Sequence, residues 1–274
     1  MRLSHVRAEA GASLRRLGRN RLALSLVLLL PLLFFAVVLV TTPRRMSTVE
    51  LASVPEEEMV MPPVVPIHPA PRGAVLDAPE RSLGAVFIAI AAVGAAAALL
   101  ALDLVQKDGG ATRRLVLCGR RPAEVLAGRL VALACVLSAA TACVAAVLPA
   151  LVHAERYSLM VAGLFLGALV HAAYGLLVGA LFRRDLVGIL LVVLLVNLDA
   201  GWLQNPLYYA GAQHRLIIRA LPAHGPAQVA LVAAFSDYPV GPAACLGVGY
   251  ALALLAAAAI AFGVRVRIAR RNRP

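Results

Sequence analysis

Guanidinium groups are the most concentrated chemically active groups in this sequence, and they lie in one short segment. Residues 105–129 include six Lys or Arg side chains together with Gly and Pro, and long apolar runs flank the segment on both sides. Membrane proteins concentrate such charge in cytoplasmic loops. We therefore expect this basic segment to lie in the cytoplasm and to contact a partner there.

The order of residues within the segment predicts a compact elbow. Residues 112–117 favour a short helix, which Gly119 would close as its left-handed cap. Pro122 suits the first position of the next helix, and Glu124 would stabilise the positive end of that helix dipole. The arginines presented to the cytoplasm would be Arg113, Arg114, Arg120 and Arg121. The last two have a simpler alternative role, in which their charge only orients the chain in the membrane.

A histidine in the middle of an apolar run is the second candidate. His171 lies on a stripe of glycines that recur every four residues: Gly163, Gly167, Gly175 and Gly179. Small residues at this spacing let helix backbones approach closely, so this face is expected to pack against another helix. An ionisable residue inside a membrane is a functional candidate by default. Two roles stay open for His171: a structural hydrogen bond to Ser138 or Thr141, and a part in transport.

The other polar residues show no pattern typical of catalysis or metal binding. The acidic run 56–58 and His68 lack a ligand spacing, and the four cysteines form no C-x-x-C pair. The single lysine, Lys107, is followed by Asp, and the chain has no G-x-x-x-x-G-K-[ST] motif for ATP. We expect the chain to bind no metal or cofactor and to have no enzymatic activity of its own.

The composition is that of a membrane protein. Of the 274 residues 61% are hydrophobic, and the formal net charge is +12. Nucleic-acid binding is not expected, because the charges lie between apolar runs rather than on one basic face. Runs of about 20 apolar residues cross a bilayer as helices. The predicted spans are 22–42, 83–104, 130–152, 159–182, 186–203 and 241–264.

The charge of the connecting segments predicts the orientation. One alternate set of segments carries 19 Lys or Arg residues and the other carries 7. The positive-inside rule therefore places both termini, including the basic tail 265–274, in the cytoplasm. Residues 1–21 have an apolar stripe among arginines, which favours a helix on the inner membrane interface; a disordered basic tail is the alternative.

The two long outer segments differ in composition. Residues 43–82 are rich in Pro, which favours extended or irregular backbone. Residues 204–240 contain apolar stretches too short to span, separated by Pro and Gly. We expect short re-entrant helices there, dipping into the outer leaflet before the last span.

With these features the chain resembles the ABC-transporter type-2 permease family. Members have six spans, an interfacial helix before the first span, a coupling helix between the second and third, and short outer helices before the last. The positions here that match the family's loop pattern are Asp108, Gly110, Leu115, Leu117, Pro122, Glu124, Leu126, Gly128 and Arg129. The sequence departs from the family's Gly-Thr pair, which reads Gly110-Ala111 with Thr112 one place later.

The resemblance implies an all-α permease that forms a substrate pathway as a dimer with a second, identical or different, copy. It also implies a separate ATPase subunit, which holds ATP and Mg and docks on the coupling helix. The coupling residues would be Thr112, Arg113, Arg114, Leu115, Leu117, Gly119, Arg120, Arg121, Pro122 and Glu124. The family associates its cavity with the second and fifth spans, where Phe87 and Asn197 are the candidates for an apolar or amphipathic cargo. The implied location is the cytoplasmic membrane of a prokaryote.

Two other classes of function stay open. A secondary transporter or channel usually needs carboxylates inside the membrane, whereas Asp103 and Asp199 lie at the ends of spans. An integral-membrane enzyme needs a nucleophile and a base at a recognisable spacing, which the outer loops lack. The cargo, and export as against import, are not readable from the sequence.

Overall fold

The computed structural model describes residues 3–19, 21–55, 73–107, 114–116, 118–182, 185–206, 208 and 215–271. In chain order the elements are α1 (Leu3–Arg19), α2 (Arg21–Thr41), β1 (Met46–Pro55), β2 (Gly73–Pro79), α3 (Glu80–Gln106), α4 (Pro122–Val147), α5 (Tyr157–Leu181), α6 (Asp185–Val196), α7 (Arg215–Arg219), α8 (His224–Phe235) and α9 (Gly241–Arg271). A 3-10 turn, Leu148–Ala150, follows α4, and a π-helical segment, Asn197–Leu203, follows α6.

The chain is a nearly all-α, multi-pass membrane protein. Within the described residues, the helices long and apolar enough to cross a membrane are Glu80–Gln106, Pro122–Ala150, Tyr157–Leu181, Leu186–Leu203 and Gly241–Arg265. Within α2 the described apolar stretch, Leu29–Thr41, is shorter than these helices. A backbone that crosses a bilayer must satisfy its own hydrogen bonds, which these helices do internally.

The centre of the bundle is the pair α3 and α5. In its most apolar stretch α3 is 78% buried and α5 is 67% buried, whereas α9 is only 22% buried. The two central helices approach closely because small residues face each other: a side chain on Gly175 would overlap the carbonyl oxygen of Ala98. The peripheral helices leave large aliphatic side chains exposed, as a helix in contact with lipid does.

The predicted first outer segment, residues 43–82, contains two β-strands that pair as a hairpin, which an all-α fold class does not include. β1 pairs antiparallel with β2, with Met46 opposite Pro79 and Val49 opposite Leu76. Val49 is buried, and the Thr48 hydroxyl donates a 2.7 Å hydrogen bond across the strands to Asp77. Side-chain pairs across two neighbouring strands stabilise a hairpin in this way. Residues 56–72, with the acidic run 56–58 and His68, lie outside the described part.

The predicted second outer segment, residues 204–240, contains two short helices, α7 and α8. Every residue of α8 from His224 to Ala234 is buried, and the helix packs against α5 and α9. Gly163 of the glycine stripe makes this possible, since a Cβ atom there would lie 2.7 Å from the backbone nitrogen of Ala230. Thus α8 is an internal part of the bundle.

Candidate functional site

The described part of the basic segment forms a sharp elbow, which we define as Arg114–Val116 together with 118–124. Arg114–Val116 is one helical turn, and Gly119 follows it with a φ of 91°. The Gly119 N–H donates to the Val116 carbonyl at 3.2 Å, and the Arg120 N–H donates to the Leu115 carbonyl at 3.1 Å. These two hydrogen bonds define a Schellman cap, in which glycine avoids the strain of a left-handed backbone. Thr112, Arg113 and Leu117 lie outside the described residues.

The elbow leads directly into α4. Arg121 is the N-cap of this helix, Pro122 occupies its first turn, and Glu124 follows as the acidic residue of that turn. Glu124 is buried, and its carboxylate lies 3.0 Å from Nδ1 of His5 on α1. The start of α4 therefore has a partner on the N-terminal helix.

Glu9 on α1 is the acidic centre of this region. Its carboxylate lies 3.6 Å from Nη1 of Arg120 in the elbow and 3.7 Å from Nε of Arg129 on α4. Glu9 is buried, and Arg129 is only 1% exposed. One carboxylate thus links α1, the elbow and α4 by charge. We call the packed surfaces of α1, the elbow and the start of α4 the junction.

Close backbone packing reinforces the junction. A Cβ atom on Gly128 would lie 2.5 Å from Cβ of Glu9 and 2.9 Å from the carbonyl oxygen of Val6. Only glycine allows α1 to lie this close to α4. On its other side, the Arg129 guanidinium lies 5.9 Å from the centre of the Phe262 ring, a cation–π distance that extends the junction to α9.

A cavity of about 240 Å³ lies between α1 and the elbow. Its described lining includes Glu9, Ser13, Arg16, Arg120 and Arg129. Beside Glu9 and Arg16, α1 lines the cavity with the short side chains of Ala8, Ala12 and Ser13, which leave space open. This cavity and the ion pairs are the main polar features of the junction.

His171 is completely buried between α5 and α3. Its Nδ1 donates a 2.7 Å hydrogen bond to the carbonyl of Gly167 on its own helix. A Cβ atom on Gly94 of α3 would lie 2.8 Å from the same ring nitrogen, so the imidazole fills the space that glycine leaves. The rest of the stripe also lies at close approaches, with Gly179 against Val105 of α3.

The hydrogen bond predicted between His171 and α4 is absent. Ser138 is exposed and donates to Ala134 within α4, and among the described residues neither Thr141 Oγ1 nor His171 Nε2 has a hydrogen-bond partner. For Ser138 the reason is that a hydroxyl near a helix carbonyl readily bonds within its own helix.

Phe87 and Asn197 occupy different environments. Phe87 is buried on α3, whereas Asn197 is exposed at the start of the π-helical segment and donates to the Val193 carbonyl at 2.8 Å. A pathway lined by these two residues stays a prediction.

Sequence reasoning missed a polar cluster at the π-helical segment, formed by Asp199, Gln204 and His224. Asp199 accepts a 3.0 Å hydrogen bond from the Ala223 N–H, and His224 Nδ1 donates at 2.9 Å to the side-chain oxygen of Gln204. All three side chains are buried. Burial, and then the nearby Arg219, lower the pKa of His224 to about 4, so the ring is neutral at pH 7.

Sequence reasoning also passed over Glu9, although one signal marks it. It is the single acidic residue in the first 21 positions, among six arginines. Its partners are distant in sequence, so only the fold identifies them. Within the described residues, no group of three or more His, Cys, Asp or Glu side chains could hold a metal ion.

Comparison with known proteins assigns no family to the chain. No family model matches it, and no curated protein matches it either. Function is therefore inferred from the geometry of the junction and from the arrangement of apolar helices.

Proposed function

We propose that the chain is the membrane-spanning permease subunit of an ABC exporter. In this proposal α2 is a sixth span, both termini and the elbow are cytoplasmic, and the membrane is the cytoplasmic membrane of a prokaryote. Two permease copies form the pathway for an apolar or amphipathic cargo. A separate ATPase subunit docks on the elbow and carries the ATP and Mg.

One observation carries the proposal: a rigid elbow begins α4 and is held at its base by α1. The Schellman cap fixes the backbone around Gly119. Pro122 then begins α4, a continuous helix of 26 residues. A force on the elbow is therefore transmitted along α4.

The junction gives that force two further routes. Through Glu9 and Gly128 the elbow moves with α1, and through Arg129 and Phe262 it is connected to α9. Interfaces packed this closely shift as bodies rather than deform. Movement of the elbow by an ATPase would thus displace α1 and α4 relative to the central pair α3 and α5.

The exposed faces of the outer helices support a dimer in a bilayer. The stretch Leu186–Leu203, which is α6 with the π-helical segment, is only 28% buried, and it leaves Leu186, Leu190 and Leu194 exposed. In this proposal the exposed leucines contact lipid or a second permease copy.

Affinity purification from native membranes in mild detergent tests the proposal. We expect an ATPase with a Walker motif to co-purify in stoichiometric amount with the tagged chain. Replacement of residues 115–121 by a seven-residue Gly/Ser linker should remove it, whereas replacement of residues 237–240 by a four-residue Gly/Ser linker should not. Recovery of no nucleotide-binding protein under several detergents would contradict the proposal.

A cation-coupled secondary transporter is the second candidate, and Asp199 is the observation that favours it. Its side chain is 3% exposed, and in the described part of the chain its Oδ1 has no hydrogen-bond partner. A buried carboxylate with a spare oxygen is a typical cation or proton site. Transport driven by an ion gradient, and abolished by Asp199→Asn, would establish this function instead.

A further inference from the structure

We propose that Asp199 is a reversible proton-binding site inside the bundle, with the proton held on its Oδ1 atom. The residue lies in the π-helical segment Asn197–Leu203, and such segments are rare and frequently occur at functional sites. The use of this proton in transport rests on the second candidate function. The site itself rests only on the structure around Asp199.

One of the two carboxyl oxygens of Asp199 is fixed in place, and the other is spare. Oδ2 accepts a 3.0 Å hydrogen bond from the N–H of Ala223, the residue that caps α8. Asp199 is 3% exposed, and among the described residues its Oδ1 has no hydrogen-bond partner. A buried polar atom without a partner costs free energy, and a buried charge costs more. A proton on Oδ1 reduces this cost.

Asp199 differs from the other buried acids because no cation balances its charge. Each of the other acids buried in the described part has an arginine or histidine nitrogen within 4 Å: Glu9, Glu80 and Glu124. None of the arginines and lysines that the structure describes forms an ion pair with Asp199. A proton is therefore the counter-charge that this carboxylate lacks.

The titratable and charged groups on the elements around Asp199 do not supply that counter-charge. These groups are Tyr174 on α5, Tyr250 on α9, His224 on α8 and Arg219 on α7. The Tyr250 hydroxyl donates to the Ala220 carbonyl at 2.5 Å, and His224 is neutral at pH 7. The charge of Arg219 acts on His224.

The surroundings fit a proton better than a metal ion. A hard cation such as Ca²⁺ takes about six or more oxygen ligands. The other side-chain oxygen of the cluster, Oε1 of Gln204, already accepts from His224 at 2.9 Å. A proton needs only Oδ1 and no cavity. Asp199 also lies four residues before Leu203, where the apolar stretch ends, so a proton crosses only about 6 Å of the span.

Infrared spectroscopy of the full-length chain in dodecyl maltoside, a detergent without carbonyl groups, tests the proposal. A protonated carboxyl group has a C=O stretching band that an ionised carboxylate lacks, so spectra at pH 5 and pH 8 report the release of a proton. Exposed aspartates, with a pKa of about 3.9, are ionised at both values. The variant is Asp199→Asn, which keeps an oxygen to accept from Ala223. Its matched control is Asp237→Asn, at an exposed aspartate.

We expect a carboxyl band at pH 5 that disappears at pH 8. It should be lost in Asp199→Asn and kept in Asp237→Asn. In the unmodified chain, ¹³C labelling of the aspartate carboxyl carbons should shift the band, which identifies an aspartate without any substitution.

Absence of an aspartate band that depends on Asp199 would overturn the proposal. A response of the Asp199 carboxylate to Na⁺ in place of choline at pH 8, without that band, would also overturn it by assigning the site to a metal cation. If the band is found but a proton gradient drives no transport, the site stands and only the second candidate function fails.

Discussion

Gly128 and Glu9 are in such close contact that α1 and α4 meet backbone to backbone. A Cβ atom on Gly128 would lie 2.5 Å from Cβ of Glu9, and the Glu9 carboxylate in turn lies between Arg120 and Arg129. The small residue on one helix thus places the acid of the other at the base of the elbow. Packing and charge in the junction depend on the same pair.

Gly128→Val should therefore separate α1 from α4. Forcing a branched side chain into a packed contact costs about 1–3 kcal/mol, and the ion pairs of Glu9 would lengthen as well. We expect a lower midpoint of thermal unfolding in detergent and faster proteolysis within α1. Gly249→Val is the control, because a Cβ atom there meets nothing within 4 Å. Equal midpoints for the two variants would show that the close approach is wrong.

Gly119→Val tests the cap of the elbow. A β-branched residue at a φ of 91° is strained by about 1–2 kcal/mol, which corresponds to a roughly tenfold change in the population of the capped elbow. Membrane insertion should be unchanged, while the amount of co-purified ATPase falls. Gly263→Val on α9, where nothing lies within 4 Å, should leave both unchanged. If Gly119→Val recovered as much ATPase as the unmodified chain, the cap would not be needed for docking.

His171 and Gly94 should behave as a coupled pair. His171→Ala leaves a cavity in the centre of the bundle, at a cost of about 2–4 kcal/mol. Gly94→Ala places a methyl group 2.8 Å from the ring nitrogen and is also destabilising. In the double variant the methyl group occupies space that the ring vacates, so the loss in the midpoint of unfolding should be smaller than the sum of the single losses. Strict additivity would mean that the two residues do not touch.

Acid should weaken the polar cluster of Asp199, Gln204 and His224 through His224, which begins α8 and lies outside the described helices that are long enough to span a membrane. Its pKa is about 4 in the folded chain and about 6.5 when exposed, so the unfolded state binds the proton more readily. The stabilisation is complete above pH 6.5 and is lost as the pH falls toward 4, by up to about 3 kcal/mol.

Thermal unfolding measured at pH 7.5 and pH 4.5 checks this loss. The decrease in the unfolding midpoint on acidification should be smaller in His224→Gln than in the unmodified chain. His153→Gln, on an exposed residue, is the control and should keep the full decrease. An equal decrease of the unfolding midpoint in all three proteins would show that His224 does not cause the loss of stability in acid.

Local signals in the sequence predicted the elbow, because a cap depends on adjacent residues. Gly119 and Pro122 have the geometry expected of them, with a left-handed φ at the first and a helix start at the second. The apolar helices followed equally from local hydropathy. Such features need no knowledge of the rest of the fold.

Features that depend on tertiary contacts were not predictable in the same way. The role of Glu9 requires α1 to cross α4 at Gly128, and the burial of His171 requires Gly94 on another helix. The β-hairpin was hidden by the proline-rich composition of its segment, although Thr48 and Val49 are typical strand residues. In each case the deciding partner lies far away in sequence.

The central claim, that the elbow docks an ATPase, is tested most directly by crosslinking from Cys118. This thiol is exposed beside Gly119, and the other cysteines can be replaced by serine: Cys135, Cys143 and Cys245. A maleimide photo-crosslinker on Cys118 would be activated in native membranes and the adducts identified by mass spectrometry. Thr48→Cys, in the exposed hairpin and in a chain that also lacks Cys118, is the matched control.

We predict that Cys118 forms an adduct with a Walker-motif ATPase and that the cysteine at position 48 does not. Adducts at equal yield from both positions, or no ATPase adduct from Cys118 in membranes where the chain is intact, would contradict the docking role of the elbow.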